Sequence, residues 1–354
     1  MTTHPTAGPT AHPTTHPTTL PQRDPAAAAA ERPRPLVARS SLVDRLFLLV
    51  ARAGGTLVLA VMVSLGGYLA LRASGALRTA GLSFLTTQEW NPDAGRGHFG
   101  IAAVLTGTVL IGAIAVSLAL PLALGCALYI SEYAPRRLKR TLIGLVDLMA
   151  AVPSVVYGLW GFVLLQYQLA GTARWISTYL GWIPLLKVTG TDPDDPLSPP
   201  TVYVASSAMA GTVVAFMITP IMCSIMREVF DQAPAGEREG AYALGSTRWG
   251  MIRSVVLPFG RGGVIGGTML GLGRALGETI SVYLILSMHF EIRWHVLQTG
   301  GSAVAPLIAL RYGDSSPFAI SALMAAGLAL FLLTLVVNFA AAAVVARSRS
   351  GAAS

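Results

Sequence analysis

The chain has 354 residues, of which 53% are hydrophobic and only 12% are charged, against roughly 25% charged in an average soluble domain. This composition excludes an ordinary soluble globular protein and indicates an integral membrane protein. The net charge of +8 does not indicate nucleic-acid binding, because most of the excess basic residues lie beside apolar stretches.

The first 40 residues are rich in Pro, Thr, Ala and His, with a loose His-Pro-Thr repeat at His4, His12 and His16. Such a composition cannot bury a core, so the sequence predicts a disordered tail over residues 1–40. The first apolar stretch begins only near Leu46 and is long enough to cross a membrane, which argues against a cleaved signal peptide. We therefore expect the tail to stay attached.

Six apolar stretches follow, each with the roughly 20 residues that a helix needs to cross a bilayer. They run over residues 46–71, 101–130, 142–168, 202–226, 262–288 and 318–346. The sequence thus predicts an all-α polytopic membrane protein with six transmembrane helices, a membrane domain over 41–346 and a short tail over 347–354. An even number of spans places both termini on one side.

Basic residues predict which side that is. With a cytoplasmic N-terminus, the cytoplasmic segments hold seventeen Lys and Arg residues and the outer loops hold seven. The densest group, Arg136–Arg140, lies in a brief loop between the second and third stretches, where the positive-inside rule is strongest. We therefore predict cytoplasmic termini and a cytoplasmic loop around Glu239. Asp147 is expected to pair with the Arg136–Arg140 group.

The polar loop between the fourth and fifth stretches, at about residues 234–258, predicts a short helix. Pro234 preorganises a helix start, and Glu237 and Glu239 suit the positive N-terminal end of a helix. Gly245 can adopt the left-handed conformation that closes a helix. The loop is therefore expected to fold into one short helix with a defined start and end.

Two apolar residues of this short helix, Tyr242 and Leu244, either pack onto the protein's own spans or dock onto a partner. The spacing favours docking, since it resembles the coupling loop of ABC-importer permeases: Glu-Ala-Ala, three residues, Gly, nine residues, Ile, one residue, Leu-Pro. The matching positions are Glu239, Gly240, Ala241, Gly245, Val255, Leu257 and Pro258. Gly240 replaces Ala at a cost of up to about 1 kcal/mol in a helix, so a more flexible coupling helix is expected here.

The fifth apolar stretch contains two charged residues at helical spacing, Arg274 and Glu278. A lone arginine at the bilayer centre costs about 2.5–3.5 kcal/mol on insertion scales, so it should face a polar cavity or a partner. The spacing of four residues predicts that Glu278 accepts a hydrogen bond from the guanidinium. Either the pair is structural and joins two helices, or Arg274 binds a tetrahedral oxyanion with its planar fork of donors. Thr279 and Ser281 can add neutral hydrogen bonds along the same pathway.

Several strings together resemble the PstC-type permeases of phosphate ABC importers, over residues from about 41 to 346. They are Gln88-Glu-Trp-Asn-Pro92, Ser131-Glu-Tyr-Ala-Pro135, Val152-Pro-Ser-Val-Val-Tyr-Gly-Leu-Trp160, Arg227-Glu-Val-Phe-Asp231, Leu257-Pro-Phe259, Gly263-Val-Ile-Gly-Gly267 and Gly271-Leu-Gly-Arg-Ala-Leu-Gly-Glu-Thr279. The resemblance implies a type I importer permease fold and half of a pathway for inorganic phosphate across a bacterial plasma membrane. It also implies a PstA-like second permease, two ATP-binding subunits and an extracytoplasmic phosphate-binding protein as partners, with lipid around the spans.

The chain itself is not expected to be an enzyme. A P-loop ATPase needs Gly-Lys-Ser or Gly-Lys-Thr, and the two lysines present, Lys139 and Lys187, each follow a leucine. ATP and Mg²⁺ are therefore expected on a partner subunit, and this chain is expected to hold no cofactor. Cys126 and Cys223 lie in predicted spans without metal-ligand spacing, so no metal site is predicted.

Two alternatives remain open at the level of sequence. A permease for sulfate, molybdate or tungstate would share the coupling loop. Hydrogenphosphate carries a proton that Glu278 can accept, whereas sulfate carries none, so Glu278 favours phosphate over sulfate. A proton-coupled carrier that uses Arg274 and Glu278 belongs to a different class, and it leaves the spacing from Glu239 to Pro258 unexplained.

Overall fold

The computed structural model of the protein describes residues 42–93, 98–190 and 199–350. The tail predicted over 1–40 lies outside these residues, as do residues 351–354 of the predicted C-terminal tail. Within the described ranges the chain is mostly helical, and its strands are a two-residue antiparallel pair, β1 (Trp90–Asn91) and β2 (His98–Phe99). The predicted all-α class is therefore confirmed, with one short hairpin added.

Twelve α-helices account for most of the described residues. They are α1 Leu42–Ala80, α2 Ala102–Leu128, α3 Arg136–Ala151, α4 Ser154–Trp160, α5 Gln166–Leu180, α6 Ser207–Asp231, α7 Ala235–Ala243, α8 Arg248–Met251, α9 Leu257–Leu276, α10 Ile280–Ile285, α11 Val304–Arg311 and α12 Pro317–Ser350. Single π turns follow α2 (Tyr129–Tyr133), join α4 to α5 (Gly161–Leu165) and join α8 to α9 (Ile252–Val256).

Among the described residues, five segments are each long and apolar enough to cross a membrane. They are Leu42–Leu85, Ala102–Tyr133, Ser207–Asp231, Arg248–Leu276 and Pro317–Ala340. The predicted third span corresponds to two segments, Arg136–Ala151 and Ser154–Leu180, which meet at an angle of 88° and give a count of six if the bent pair is one span. The bend lies at Val152 and Pro153, because proline cannot donate to the preceding turn and pushes the residue before it out of helical geometry.

The fifth span differs from its prediction in position. We predicted residues 262–288, whereas the helical segment runs over Arg248–Leu276 and stops at Gly277, before the short helix α10 begins. Apolar residues continue on both sides of Gly277 up to residue 286, so the extent of the apolar stretch does not reveal where the backbone leaves the helix. As a result Arg274 lies in the last turn of α9 instead of the middle of a span.

The chain divides into two compact units, Met1–Ala60 and Val61–Ser354. The described part of the first unit is the beginning of α1, and the second unit contains the remaining elements. Within the second unit, α2, α6 and α9 pack side by side. The contact stripe of α2 consists of alanines at every fourth position, Ala115, Ala119, Ala123 and Ala127, all 0% exposed. Small residues at this spacing let membrane helices approach closely.

Glycines play the same part on α9. A Cβ built at Gly263 would lie 2.6 Å from the Val229 side chain, and one at Gly271 would lie 2.6 Å from the sulfur of Met222. Both neighbours belong to α6, so the backbone of α9 lies against side chains of α6 over about two helical turns. This packing fixes the position of the end of α9, where the candidate site begins.

Candidate functional site

Three of the four predicted pathway residues lie at the break between α9 and α10. Glu278 is only 9% exposed and Ser281 is completely buried. Ser281 donates its backbone N–H (3.2 Å) and its hydroxyl (3.0 Å) to Oε1 of Glu278. Glu278 therefore caps the first turn of α10, where free N–H groups and the helix dipole favour a carboxylate. Thr279 bonds locally, with its hydroxyl 3.2 Å from the Gly277 carbonyl oxygen.

The same break is joined to α4. The Ser281 hydroxyl also lies 2.7 Å from the carbonyl oxygen of Ser154, the first residue of α4, so its one hydrogen is shared between this oxygen and Oε1 of Glu278. One turn later, a Cβ built at Gly158 would lie 2.8 Å from Cα of Ser281. The absence of a side chain at Gly158 thus lets α10 approach α4 closely enough for this hydrogen bond.

The predicted ion pair between Arg274 and Glu278 is wrong. Among the ion pairs of the described residues, none joins these two side chains. A pair at i and i+4 requires an intact helix through both residues, and α9 has already ended when the chain reaches Glu278. The carboxylate turns inward to α10, while the Arg274 side chain is exposed.

Arg274 lines an open groove of about 660 Å³ between α6, α9 and α12. The groove is also lined by Ile221 of α6, Gly273 of α9 and Asn338 of α12. In the part of the chain that the structure describes, the Arg274 guanidinium has no carboxylate partner. The groove therefore presents a positive charge and an amide to whatever enters it.

Asp147 also differs from its expected contacts. Oδ1 of Asp147 accepts a hydrogen bond of 3.1 Å from the Ser224 hydroxyl of α6. Within the basic group, Lys139 instead pairs with Asp231 at 2.8 Å, because α3 packs along α6 and brings these two residues together. The expected pairing of Asp147 with the Arg136–Arg140 group is therefore wrong.

The polar loop folds as its sequence predicts. Helix α7 begins after Pro234, and Gly245 has a φ of +81°. The N–H of Ser246 donates to the carbonyl of Ala241 (3.1 Å), and the N–H of Gly245 donates to that of Tyr242 (2.9 Å). These two bonds form a Schellman motif, which ends the helix sharply.

The outward surface of this loop is apolar and uncovered. The exposed fractions are 45% for Tyr242, 89% for Leu244 and 56% for Trp249. Glu239 is also exposed, whereas Ala241 and Leu257 pack against the core of the second unit, Val61–Ser354, which we call the membrane unit. Packing onto the protein's own spans thus accounts for Ala241 and Leu257, and it leaves Tyr242 and Leu244 available to a partner. Pro258 is also exposed and lies at the start of α9.

Two substitutions to alanine in this loop should change its stability in opposite directions. A Cβ at Gly240 has no neighbour within 4 Å and lies inside α7, so Gly240→Ala should stabilise the helix by about 0.5–1 kcal/mol. Gly245→Ala should destabilise it by about 1–2 kcal/mol, because alanine disfavours a positive φ. Amide hydrogen exchange over residues 239–246 should show up to about fivefold more protection in the first variant. It should show less protection in the second, and equal protection in both variants would contradict this account of the loop.

A further contact, between Arg238 of α7 and the end of α2, is not apparent from the sequence. Arg238 forms an ion pair of 2.9 Å with Glu132, which lies in the π turn after α2 and has a side chain only 4% exposed. Nearby, the guanidinium of Arg248 stacks over the ring of Tyr133 at 4.9 Å. The acidic residue Glu132 directly after a long apolar stretch could have suggested a buried ion pair. However, 106 residues separate it from Arg238, and no spacing rule predicts that these two residues meet.

Within residues 42–93, 98–190 and 199–350, no three side chains of His, Cys, Asp or Glu are grouped so as to hold a metal ion. The site is therefore a groove with one guanidinium, a broken helix stabilised by Glu278 and Ser281, and a separate exposed helix, α7.

Comparison with solved structures shows the fold. The structure titled "Crystal structure of bacterial alginate ABC transporter in complex with alginate pentasaccharide-bound periplasmic protein" superposes with a TM-score of 0.54 at 15% identity, over 84% of this chain and 94% of that one. A second, titled "Crystal structure of a bacterial ABC transporter involved in the import of the acidic polysaccharide alginate", gives a TM-score of 0.51 at 15% identity, over 86% and 97%. The predicted type I importer permease fold is confirmed.

Comparison with sequences shows the family. Residues 119–350 match the family described as "Binding-protein-dependent transport system inner membrane component". "Phosphate transport system permease protein PstC 2" of Mycobacterium tuberculosis (strain ATCC 25618 / H37Rv) is 40% identical over 303 residues, which are 85% of this chain and 91% of that protein. "Phosphate transport system permease protein PstC" of Xylella fastidiosa (strain 9a5c) is 36% identical over 300 residues, 84% and 89% of the two chains. The chain therefore belongs to the PstC family of binding-protein-dependent transport system inner membrane components.

Proposed function

We propose that this chain is the transmembrane permease subunit of an ATP-driven importer for inorganic phosphate and that it forms half of the translocation pathway. The observation that carries the proposal is the 40% identity, over 303 residues, to a protein named as a phosphate transport system permease. The family match over residues 119–350 includes both the groove at Arg274 and the loop at α7.

In this proposal Arg274 is the residue that contacts the substrate. Its exposed guanidinium offers planar, charge-assisted hydrogen bonds, which suit a tetrahedral oxyanion, and Asn338 adds an amide donor across the groove. Glu278 and Ser281 already bond to each other. We therefore assign them, with Thr279, to holding the break between α9 and α10 beside the pathway. Broken helices in membranes are tolerated where they are buried in protein or line a polar cavity.

The partners follow from the loop of α7. Residues Glu239, Gly240, Ala241, Tyr242, Gly245, Leu257 and Pro258 form the proposed coupling surface for an ATP-binding subunit. The complex would contain two such subunits carrying ATP and Mg²⁺, a PstA-like second permease and an extracytoplasmic phosphate-binding protein. This chain would contribute transport and no catalysis, hold no cofactor and bind no nucleic acid.

The proposed location is the plasma membrane of a bacterium, where lipid covers the outer surface of the spans. Basic residues are in excess in the first turns of α3 and around α7. By the positive-inside rule, this favours placing both termini and α7 in the cytoplasm. The ATP-binding subunits would then meet α7 on that side, and the binding protein would meet the opposite face.

The test is uptake of radiolabelled phosphate by phosphate-starved cells that lack this chain and receive either wild type or a variant. Wild type should restore phosphate uptake, and Arg274→Ala should reduce it at least tenfold, because losing a charged hydrogen bond costs about 1.5–3 kcal/mol. Arg274→Lys keeps the charge but loses the fork, so intermediate uptake is expected. Arg311→Ala, an exposed arginine outside the groove, should transport like wild type.

The same assay separates the alternatives. Restoration of sulfate, molybdate or tungstate uptake in place of phosphate would contradict the proposed substrate and leave the coupling surface intact. Phosphate uptake that collapses with the proton gradient and persists without ATP would indicate a proton-coupled carrier instead. Normal uptake by a fully assembled Arg274→Ala transporter would contradict the role of the arginine.

A further inference from the structure

One side chain ties α7 to two helices of the membrane unit. Nη1 of Arg238 lies 2.9 Å from Oε1 of Glu132 and donates to Oε2 at 3.1 Å. Nη2 of the same guanidinium donates to the carbonyl oxygen of Phe230 at 2.6 Å. Glu132 follows the end of α2, and Phe230 lies in the last turn of α6. Arg238 thus joins α7 to the ends of both helices at once.

This contact is fixed at both ends. The Glu132 side chain is 4% exposed, and its Oε1 also accepts a hydrogen bond of 2.7 Å from the Ser131 hydroxyl. Phe230 is fully buried, and Gly260 of α9 approaches its ring so closely that a Cβ there would overlap it. Charge-assisted bonds to a buried carboxylate are short and directional. A displacement of Arg238 must therefore move its partners or break the bonds.

The rest of α7 is held much more loosely. None of its residues is buried. Across the described residues, Arg238 is the one α7 side chain that forms an ion pair or a hydrogen bond to another side chain or to the backbone. The neighbouring pair between Lys139 and Asp231 joins α3 to α6, and its side chains are 30% and 31% exposed. Polar attachment of α7 is therefore concentrated in a single guanidinium.

We propose that the pair of Arg238 and Glu132 is the link that transmits displacement of α7 to the ends of α2 and α6. The inference rests on the proposed function, in which α7 receives the motion of an ATP-binding subunit. A partner that pushes on the exposed Tyr242 and Leu244 moves a short helix as one body. Besides the short link Gln232–Pro234 and the apolar packing of Ala241, the bonds of Arg238 are the directional side-chain contact through which this movement reaches the ends of α2 and α6. Because energetic coupling acts in both directions, the same link returns signals from the outer face to the ATP-binding subunits.

The test uses the complete transporter in proteoliposomes with two variants that preserve shape. Glu132→Gln keeps an oxygen that accepts from Arg238 and removes the charge. Arg238→Lys keeps the charge but has no fork to reach Glu132 and Phe230 together. In both variants the ATP-binding subunits should still co-purify, and ATP hydrolysis without binding protein should stay within about twofold of wild type. Phosphate uptake, and the stimulation of ATP hydrolysis by the binding protein, should each fall at least about tenfold, a coupling change within the usual allosteric range.

Lys139→Gln is the matched control, because it removes a nearby, more exposed ion pair that does not involve α7. Its uptake should stay within about twofold of wild type, as is typical for a surface pair. The proposal is overturned if both link variants transport normally, or if their uptake falls only in proportion to lost ATP-binding subunits, which would make the pair a structural attachment. If the wild-type transporter imports no phosphate, that result contradicts the proposed function alone. The stimulation of ATP hydrolysis by the binding protein still tests the link between Arg238 and Glu132.

Discussion

Gly107→Ala is expected to prevent accumulation of the folded protein. Gly107 lies in α2, where a Cβ would overlap the carbonyl oxygen of Ser302 and lie 3.1 Å from its carbonyl carbon. Ser302 is only 2% exposed. The backbone cannot retreat, because two residues later the N–H of Val304 donates to the Thr108 hydroxyl of α2 at 3.0 Å. The cost should exceed the roughly 1–3 kcal/mol that is typical of an overpacked core.

The measurement is size-exclusion chromatography of the detergent-solubilised protein, followed by thermal unfolding. Gly107→Ala should give no folded peak, or a Tm lower by roughly 10 °C. Gly125→Ala is the matched control on the same helix, because a Cβ there meets nothing within 4 Å. It should be neutral or stabilising by up to about 1 kcal/mol. Equal Tm values for the two variants would show that the 302–304 segment is not held against α2.

The features that sequence predicts correctly here depend on local rules. Gly245 was expected to take a positive φ because a glycine follows a short helical pattern, and the φ of +81° agrees. Pro234 sets the start of the same helix through its own backbone restriction. Apolar length locates the first, second, fourth and sixth of the predicted spans, since the hydrocarbon thickness sets a minimum number of residues. None of these predictions requires knowledge of what lies next to the residue in space.

The features that sequence does not predict depend on distant neighbours. Arg274 and Glu278 have the spacing of a helical pair, but Gly277 interrupts the helix between them, and Glu278 bonds to Ser281 instead. Nothing in the apolar stretch marks Gly277 as different from the other glycines around it. Likewise, Arg238 finds Glu132 across 106 residues, and Lys139 finds Asp231 because α3 packs on α6. Such contacts follow from the packing of helices, which periodicity and composition do not determine.

Leu244→Asp is expected to abolish the proposed binding of an ATP-binding subunit at α7. Leu244 caps the end of α7 and is 89% exposed, so the isolated chain leaves a large apolar side chain in water. Covering it with a partner would contribute about 1.5–3 kcal/mol. An aspartate there would forgo this gain and bury an uncompensated charge near the negative end of a helix. Together these effects should weaken binding at least about 100-fold, which corresponds to 2.7 kcal/mol.

Co-purification of the ATP-binding subunit with tagged wild type or variant measures this effect. Leu82→Asp is the matched control, because Leu82 is 86% exposed and lies in the turn after α1, far along the chain from α7. That variant should retain the ATP-binding subunit, whereas Leu244→Asp should lose it while keeping the Tm of wild type. The unchanged Tm matters because Leu244 makes no buried contact whose loss could unfold the protein. If Leu244→Asp kept the subunit, α7 would not be the coupling surface, and the exposed residues around Trp249 would have to be tested in its place.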